Sequence, residues 1–290
     1  MIRPIYLIFE LATYALFIAC LWHAARQGRF RVLELLVSLL YGVLLELMTL
    51  RQLSAYRYGQ FWIMIDDAPL SIGAGWAVII YSAMAFSSRL EMPEAARPFL
   101  DGLLALNIDL AMDTIAIRLG MWTWGMLSLE QEWFGVPWGN FWAWYIVVTS
   151  YSAFLRALRP WRRHRILGWL YPLPGLLLSL AVLAITNRLY ASLLTPIGGG
   201  FLGMLLLIGS GIFIVASVRP RVQEPGPPDP VALAVPVVFH LLFMGAGIAY
   251  GFYAQTPALA VIGITMLFVG VAVHLWPWWA QRAGRQAVEP

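Results

Sequence analysis

The sequence contains no lysine, a single cysteine and few charges of either sign. Without a lysine the protein cannot form a Schiff base with a carbonyl substrate, which excludes retinal-type pigment proteins. With Cys20 alone an intramolecular disulfide is impossible, and the sequence gives no information on the redox compartment. All 19 basic residues are therefore arginines, and charged residues make up only 12% of the chain, against about 25% in a soluble globular protein.

Apolar residues account for 61% of the chain, and its mean hydropathy is +0.74. Apolar runs of about 20 residues, long enough to cross a bilayer, occur at 5–22, 32–50, 68–86, 99–119, 141–158, 166–186, 201–218, 231–253 and 258–276. This pattern predicts an all-α, polytopic transmembrane helical bundle with eight or nine spans. We expect one integral membrane domain over residues 1–290, with motifs in residues 1–158 and none recognised in 159–290.

Arginines are unevenly divided between the two sides of the predicted bundle, with fourteen on one side and five on the other. Because cytoplasmic loops carry the excess of basic residues, we expect the N-terminus outside and the C-terminus inside. Residues 222–230, VQEPGPPDP, form a proline-rich cytoplasmic linker in this topology. No basic face or nucleic-acid-binding motif is present, so the arginines do not predict a nucleic-acid partner.

The fourth predicted span carries Asn107, Asp109 and Asp113 within an otherwise apolar run. An ionised carboxylate near the bilayer centre costs roughly 2.5 to 3.5 kcal/mol on insertion scales, which makes such residues functional candidates. Asp109 and Asp113 are one helical turn apart, about 5 to 6 Å, and share a face. Two carboxyls at this spacing cannot both ionise cheaply, so one should keep its proton near neutral pH, as a general acid must.

Polar side chains of other segments are predicted to lie at the same depth, on the outer side: Glu10, Glu46, Asp66, Asp67 and Asn140. This convergence predicts a cavity that opens towards the outer leaflet. Trp122 and Trp124 follow the acid-bearing helix and should overhang that cavity. Aromatic faces stabilise cations by about 0.5 to 2 kcal/mol, which makes the two tryptophans candidates for substrate contact.

The acids also have purely structural interpretations. Asp109 and Asp113 could form interhelical hydrogen bonds or an ion pair with Arg118. Glu46 could pair with Arg51 or with the tyrosines of SAYRYG.

The residues nearer the helix ends have similar alternatives. Asp66 and Asp67 could cap the third span, Glu10 could reach water from a helix end, and tryptophans are enriched at membrane interfaces in general. The four histidines are scattered and do not form the clusters of a di-iron enzyme, so we expect no metal and no organic cofactor.

Four motifs occur in order: ELMTLRQLSAYRYG, DAPLSIGAGW, DLAMDTIAIRLGMWTWG and WFGVPWGNFWAW. Together they resemble the carotenoid biosynthesis family of membrane hydratases, which includes the bacterioruberin-type and 1,2-position carotenoid hydratases. The resemblance covers about residues 40–145 and departs from the family pattern at Thr114, where the family often has proline. The functional positions it implies are Glu46, Tyr56, Tyr58, Trp76, Asp109, Asp113, Trp122, Trp124 and Asn140.

The resemblance implies a hydro-lyase that adds water to a terminal C=C bond of a lipophilic polyene isoprenoid. Such an enzyme would lie in the cell membrane of a bacterium or archaeon and take its substrate from the lipid. We expect Asp113 to protonate the alkene, Asp109 or Glu46 to assist, and Asn140 to place the water that captures the tertiary carbocation. We expect Tyr58, Trp76, Trp122, Trp124 and Glu10 to contact the substrate. The oligomeric state is left open.

Three alternatives to this interpretation remain. An intramembrane prenyltransferase would also use an aspartate-rich helix, but it needs a second aspartate motif that the later half lacks. A cyclase or isomerase would protonate the alkene and then lose a proton without adding water. A proton-coupled transporter would use Glu46 and Asp113 as proton carriers, and it predicts carboxylates or inverted repeats in both halves.

Overall fold

The computed structural model describes residues 3–125, 127–223 and 226–286, without the side chains of residues 281 and 283–286. The predicted cytoplasmic C-terminal residues 287–290, and Glu224 and Pro225 of the predicted linker, lie outside the described residues. The helices are α1 (Pro4–Gln27), α2 (Arg29–Leu53), α3 (Leu70–Ser87), α4 (Arg97–Leu119), α5 (Trp138–Leu158), α6 (Leu167–Leu170), α7 (Pro172–Leu189), α8 (Gly200–Val218), α9 (Pro230–Ala249), α10 (Phe252–Gln255) and α11 (Pro257–Gln286).

Short strands connect the helices: β1 (Arg57–Tyr58), β2 (Met64–Ile65), β3 (Ala68–Pro69), β4 (Leu90–Glu91), β5 (Trp122–Thr123) and β6 (Arg221–Val222). They form three antiparallel pairs, β1 with β5, β2 with β3 and β4 with β6. A 3₁₀ turn (Arg159–Arg163) follows α5, and a π-helical turn (Tyr190–Leu194) and a second 3₁₀ turn (Thr195–Ile197) extend α7.

The predicted all-α polytopic helical bundle is confirmed. Seven helical stretches of the described chain are long and apolar enough to cross a membrane: α1, α2, α3, Leu167–Ile197, α8, α9 and Pro257–Ala280 of α11. Helices α4 and α5 have similar lengths, and α4 carries the acids of the fourth predicted span. The number of spans and the direction of the bundle across the membrane stay predictions.

The sixth predicted span, 166–186, differs from the structure at its start. The chain forms the single turn α6, and a new helix, α7, begins at Pro172. Proline lacks the backbone N–H that a helix interior needs but fits the first turn of a new helix. The predicted eighth span, 231–253, likewise ends earlier, because α9 stops at Ala249 and Gly251 adopts a left-handed conformation with φ of +72°.

Helix α3 lies at the centre of the bundle and packs against α1, α2, α4 and α9. It has no charged residue, and nearly all of its side chains are buried. Two glycines allow α2 and α3 to approach closely: a Cβ atom on Gly42 would lie 2.6 Å from the carbonyl oxygen of Gly73. Small residues at such crossings bring the backbones together and increase van der Waals contact between helices.

The arginine-rich loops gather at one end of the bundle. There, Glu34 near the start of α2 accepts hydrogen bonds from Arg31 at 3.1 Å and Arg159 at 3.0 Å, and it also bonds to Arg162. Strands β4 and β6 pair at the same end. This grouping agrees with the arginine distribution read from the sequence.

At the opposite end, the α2–α3 connection pairs with the residues that follow α4. Tyr58 lies opposite Trp122 in the β1–β5 ladder, and the Gly59 N–H donates to the Met121 carbonyl at 2.9 Å. Gly59 has no room for a side chain, because a Cβ there would lie 2.8 Å from the Tyr6 ring and 2.9 Å from the Gly120 carbonyl oxygen. The ladder therefore joins two loops that carry candidate site residues.

Candidate active site

Asp109, Asp113 and Asn140 form one buried cluster between α4 and α5. The Asn140 side-chain amide donates to Asp113 Oδ2 at 2.8 Å and to Asp109 Oδ2 and Oδ1 at 3.1 and 3.3 Å. The two carboxyls also lie close enough to hydrogen-bond to each other. The spacing of four residues on α4 places both acids on one face, and the first turn of α5 supplies the amide that joins them.

Glu46, near the end of α2, is held by three aromatic donors. The hydroxyls of Tyr56 and Tyr58 donate to its Oε2 at 2.6 and 2.8 Å, and the Trp76 indole donates to its Oε1 at 2.7 Å. All three contacts use Glu46 as the acceptor, which suits a carboxylate. Of the two partners predicted for Glu46, the tyrosines are confirmed, while Arg51 instead pairs with Asp66 at 2.6 Å.

The two tyrosines lie in the connection between α2 and α3, outside the helices. Burial, and the negative charge of the adjacent Glu46, raise the pKa of Tyr56 and of Tyr58 well above the ordinary value of 10.0. Both hydroxyls therefore keep their protons, and remain donors to Glu46, across the neutral pH range.

A cavity of about 650 Å³ connects these groups. Its wall includes Glu46, Asp113 and Asn140, which are all buried, and the aromatic residues Tyr56, Tyr58, Trp76, Trp122, Trp124 and Trp144. Asp109 is behind Asp113 and is not part of the wall. Within the part of the chain that the structure describes, the second carboxyl oxygen of Asp113, Oδ1, is buried without a hydrogen-bond partner. Asp113 therefore lies in the cavity wall and has one carboxyl oxygen that accepts no hydrogen bond from the described residues.

The ion pair considered for the α4 acids is not formed. Arg118 donates instead to backbone carbonyls, to Thr114 at 2.8 Å and Phe134 at 2.9 Å. No arginine contacts Asp109 or Asp113 among the described residues. The acids are thus paired with each other and with Asn140, without a compensating positive charge.

Glu10 does not reach the cavity. It accepts hydrogen bonds from the backbone N–H groups of Trp62 at 2.8 Å and Ile63 at 3.2 Å, and so anchors the α2–α3 connection to α1. Asp66 and Asp67 are also outside the cavity wall. The proposed capping role for these two aspartates is wrong, because α3 begins at Leu70 with Pro69 as its N-cap and no side-chain cap bond.

The predicted aromatic residues are brought together around the acids. Trp122 is buried and lines the cavity together with Asp113, and the ring of Trp124 packs on Tyr56 with 4.7 Å between centroids. Trp76 packs against Trp144 with 4.2 Å between centroids. These tryptophans are therefore part of the cavity wall, so their positions are not explained by the general enrichment of tryptophan at membrane interfaces.

Several cavity residues were missed from the sequence: Thr49, Trp144, Asn187 and Tyr190. Trp144 follows Asn140 by one helical turn, a spacing that indicates a shared face. Asn187 and Tyr190 lie just beyond the predicted end of the sixth span at residue 186. The helix continues past residue 186, and the polar residue Asn187 in this continuation could have indicated a further site residue.

The histidines take no part in this site. His240 lies 3.1 Å from the side-chain oxygen of Asn107, and His274 lies 2.7 Å from the Gly270 carbonyl oxygen in its own helix. Among the described residues, no group of three or more histidine, cysteine, aspartate or glutamate side chains could hold a metal ion.

Comparison with known proteins identifies the family. The family described as carotenoid biosynthesis protein matches residues 2–208. The match extends beyond the stretch of about 40–145 that carried the resemblance, and it includes α7 and the first turns of α8, where no motif was recognised. No curated protein and no solved structure gives a significant match. The family match covers more than half of the sequence, and the chain therefore belongs to the carotenoid biosynthesis protein family.

Proposed function

We propose that the protein is a membrane carotenoid hydratase, a hydro-lyase that adds water to a terminal C=C bond of a polyene isoprenoid. The observation that carries the proposal is Asp113 in the cavity wall, with its Oδ1 buried without a hydrogen-bond partner among the described residues and Asp109 beside it on the same helix face. A single proton shared by these two carboxyls avoids two adjacent negative charges in a buried site. Asp113 is then the proton donor in the cavity wall.

The rest of the cavity suits the carbocation that protonation produces. Tryptophan and tyrosine rings form much of its wall, and aromatic faces attract cations. Glu46 lies near Asp113 and has its carboxylate fixed by three hydrogen bonds before any substrate binds. A negative charge held in advance, where positive charge develops, lowers the barrier without reorganisation of the site.

The surroundings of the cavity at one end are suited to a lipophilic substrate chain that enters from the membrane. The cavity wall extends past Tyr190 to Gly200 and Phe201, at the junction of α7 and α8. Large apolar side chains are exposed there, including Ile197, which is 77% exposed, and Phe201. A cavity of about 650 Å³ is typical of sites for one small ligand, so it fits an end group of a long polyene while the remainder extends into lipid.

Isotope labelling tests the reaction. The purified protein is incubated with an acyclic polyene such as lycopene in heavy-oxygen water and, separately, in deuterated water. A hydratase places solvent oxygen in the new hydroxyl and one non-exchanging deuterium on the adjacent carbon. The proposal fails if the oxygen comes from dioxygen, if the product contains solvent hydrogen without solvent oxygen, as a cyclase requires, or if the substrate grows by a five-carbon unit.

A further inference from the structure

The second half of the chain contributes a buried amide side chain to the wall of the cavity. Asn187, in the last turn of α7, is only 4% exposed and lines the cavity together with Asp113 and Glu46. Its amide nitrogen Nδ2 has no hydrogen-bond partner among the residues that the structure describes. A buried amide without a partner destabilises the folded protein, so this donor indicates a ligand atom that accepts a hydrogen bond.

The surroundings of Asn187 are suited to a small ligand. One turn before it, Leu183 is an apolar part of the cavity wall, and one turn after it the helix changes to the π-helical turn that begins at Tyr190. Such π-helical turns are frequent at functional sites, because they redirect side chains that a regular helix would place elsewhere. Asn187 thus lies one helical turn after an apolar wall residue and one turn before the change in helix geometry.

Hydration needs a residue that holds the water, and Asn140 is poorly placed for this role. Its amide nitrogen is already engaged by Asp109 and Asp113. Resting on the proposed hydratase function, we propose that Asn187 binds the oxygen atom that is added to the substrate, first as the attacking water and then as the product hydroxyl. The Nδ2 donor occupies one lone pair of the water and leaves the other for the carbon.

The proposed step accounts for all atoms. Asp113 transfers its proton to the less substituted alkene carbon, and the π electrons form the new C–H bond and leave a tertiary cation. The free lone pair of the water forms the C–O bond, and one water proton passes to the Asp113 carboxylate. Without a positioned water, the cation instead loses a proton from a neighbouring carbon to that carboxylate, and an alkene is formed again.

This competition gives a direct test with the variant Asn187→Leu, which keeps the volume but removes the donor. The substrate is the same acyclic polyene in deuterated water, and mass spectrometry measures deuterium in the recovered unhydrated alkene and the amount of hydrated product. We expect the ratio of deuterated alkene to hydrate to rise roughly two- to tenfold, the effect of one lost hydrogen bond. The exchange itself shows that the variant is folded and still protonates the alkene.

Thr186→Val is the matched control, because the Thr186 hydroxyl bonds to its own helix at the Val182 carbonyl and is outside the cavity wall. Its ratio should equal that of the wild type. Asn187→Ser, which keeps a donor on a shorter side chain, should give an intermediate ratio.

Three outcomes overturn the inference. If hydration and exchange fall together in both the Leu and Ser variants, Asn187 acts before the cation forms. If Asn187→Leu raises KM but leaves the ratio unchanged, the amide binds an oxygen atom that the substrate already carries. Among the described residues of the cavity wall, the Trp124 indole is a second side-chain donor without a partner. If Trp124→Phe raises the ratio and Asn187→Leu does not, the water is held by Trp124. Absence of solvent oxygen in the wild-type product would instead reject the hydratase function itself.

Discussion

The Asn140 side chain donates to Asp113 at 2.8 Å, and the same amide reaches Asp109 at 3.1 Å. One residue of α5 thus holds two carboxyls of α4 that would otherwise repel each other if ionised. The geometry of the proton donor therefore depends on the packing of α4 against α5. This dependence leads to specific expectations for substitutions in and around the cluster.

Asp113→Asn should remove most of the activity while the protein stays folded. Asparagine keeps the shape of the side chain and its oxygen can still accept from Asn140, but it cannot deliver a proton. Loss of a general acid typically lowers the rate by about 10² to 10⁴. The measurement is turnover of an acyclic polyene by purified protein whose insertion and thermal unfolding match those of the wild type.

Glu10→Gln is the comparison for that experiment, because Glu10 is equally buried but bonds to the backbone of Trp62 and Ile63 outside the cavity. Its effect on turnover should be much smaller than that of Asp113→Asn. Near-normal turnover in a well-inserted Asp113→Asn protein, or the reverse ranking of the two variants, would mean that the acid is on another helix.

Tyr58→Phe should lower kcat more than it raises KM. The variant keeps the ring but removes one of the three donors to Glu46, and hydrogen bonds to a charged group contribute about 1.5 to 3 kcal/mol, equivalent to roughly ten- to a hundredfold in rate. Tyr56→Phe should behave alike, and the double variant should lose more than either. If the substitutions raise KM and leave kcat unchanged, the tyrosines bind substrate without acting through Glu46.

The same tyrosines predict a feature of the pH profile. Because burial and Glu46 raise the pKa of both hydroxyls well above 10.0, the folded protein favours their protonated forms. Their hydrogen bonds are therefore present below pH 10 and are lost only as the pH rises through the elevated values. Neither tyrosine should itself titrate between about pH 6 and 9, so the wild-type rate should show no step there that the Tyr56→Phe, Tyr58→Phe double variant removes; such a step would contradict this.

Asp101→Asn should reduce stability without a direct effect on the chemistry. Asp101 and Arg156 are buried and 3.0 Å apart, and they are outside the cavity wall. Removal of one partner of a buried ion pair typically costs about 3 to 5 kcal/mol, because the remaining charge stays buried. Thermal unfolding in detergent should show a clear decrease, with Glu91→Gln at an exposed position as the control. Unchanged unfolding would show that Glu94, 3.6 Å from Arg156, is a sufficient partner.

Cysteine labelling tests the orientation. Ser128 and Arg163 are exposed in loops at opposite ends of the bundle, while the native Cys20 is buried. We expect a membrane-impermeant reagent to label Ser128→Cys but not Arg163→Cys in intact cells. Membrane permeabilisation provides the control, since both should then react. Labelling of Arg163→Cys alone in intact cells would reverse the predicted topology.

Much of the site was predictable because it depends on local spacing. The four-residue separation of Asp109 and Asp113 placed both acids on one helix face, and the alternation of spans placed Glu46 and Asn140 at the same end of the bundle. Glu10 was predicted to lie at the same depth as these acids and to contact the substrate. Its side chain instead points towards the α2–α3 connection. Depth in the membrane follows from position along a helix, whereas the direction of a side chain depends on which helices pack together.

The sequence by itself determined the all-α membrane class, the positions of the long helices and the family, because apolar run length and motif order are properties of the chain alone. Only the tertiary structure decided which polar groups meet. The β1–β5 ladder that sets Tyr58 opposite Trp122, the hydrogen bond from the Trp76 indole to Glu46 and the arrival of Asn187 from the second half all join residues far apart in the chain. Such contacts are determined by the packing of several helices at once, and no local pattern in the sequence encodes them.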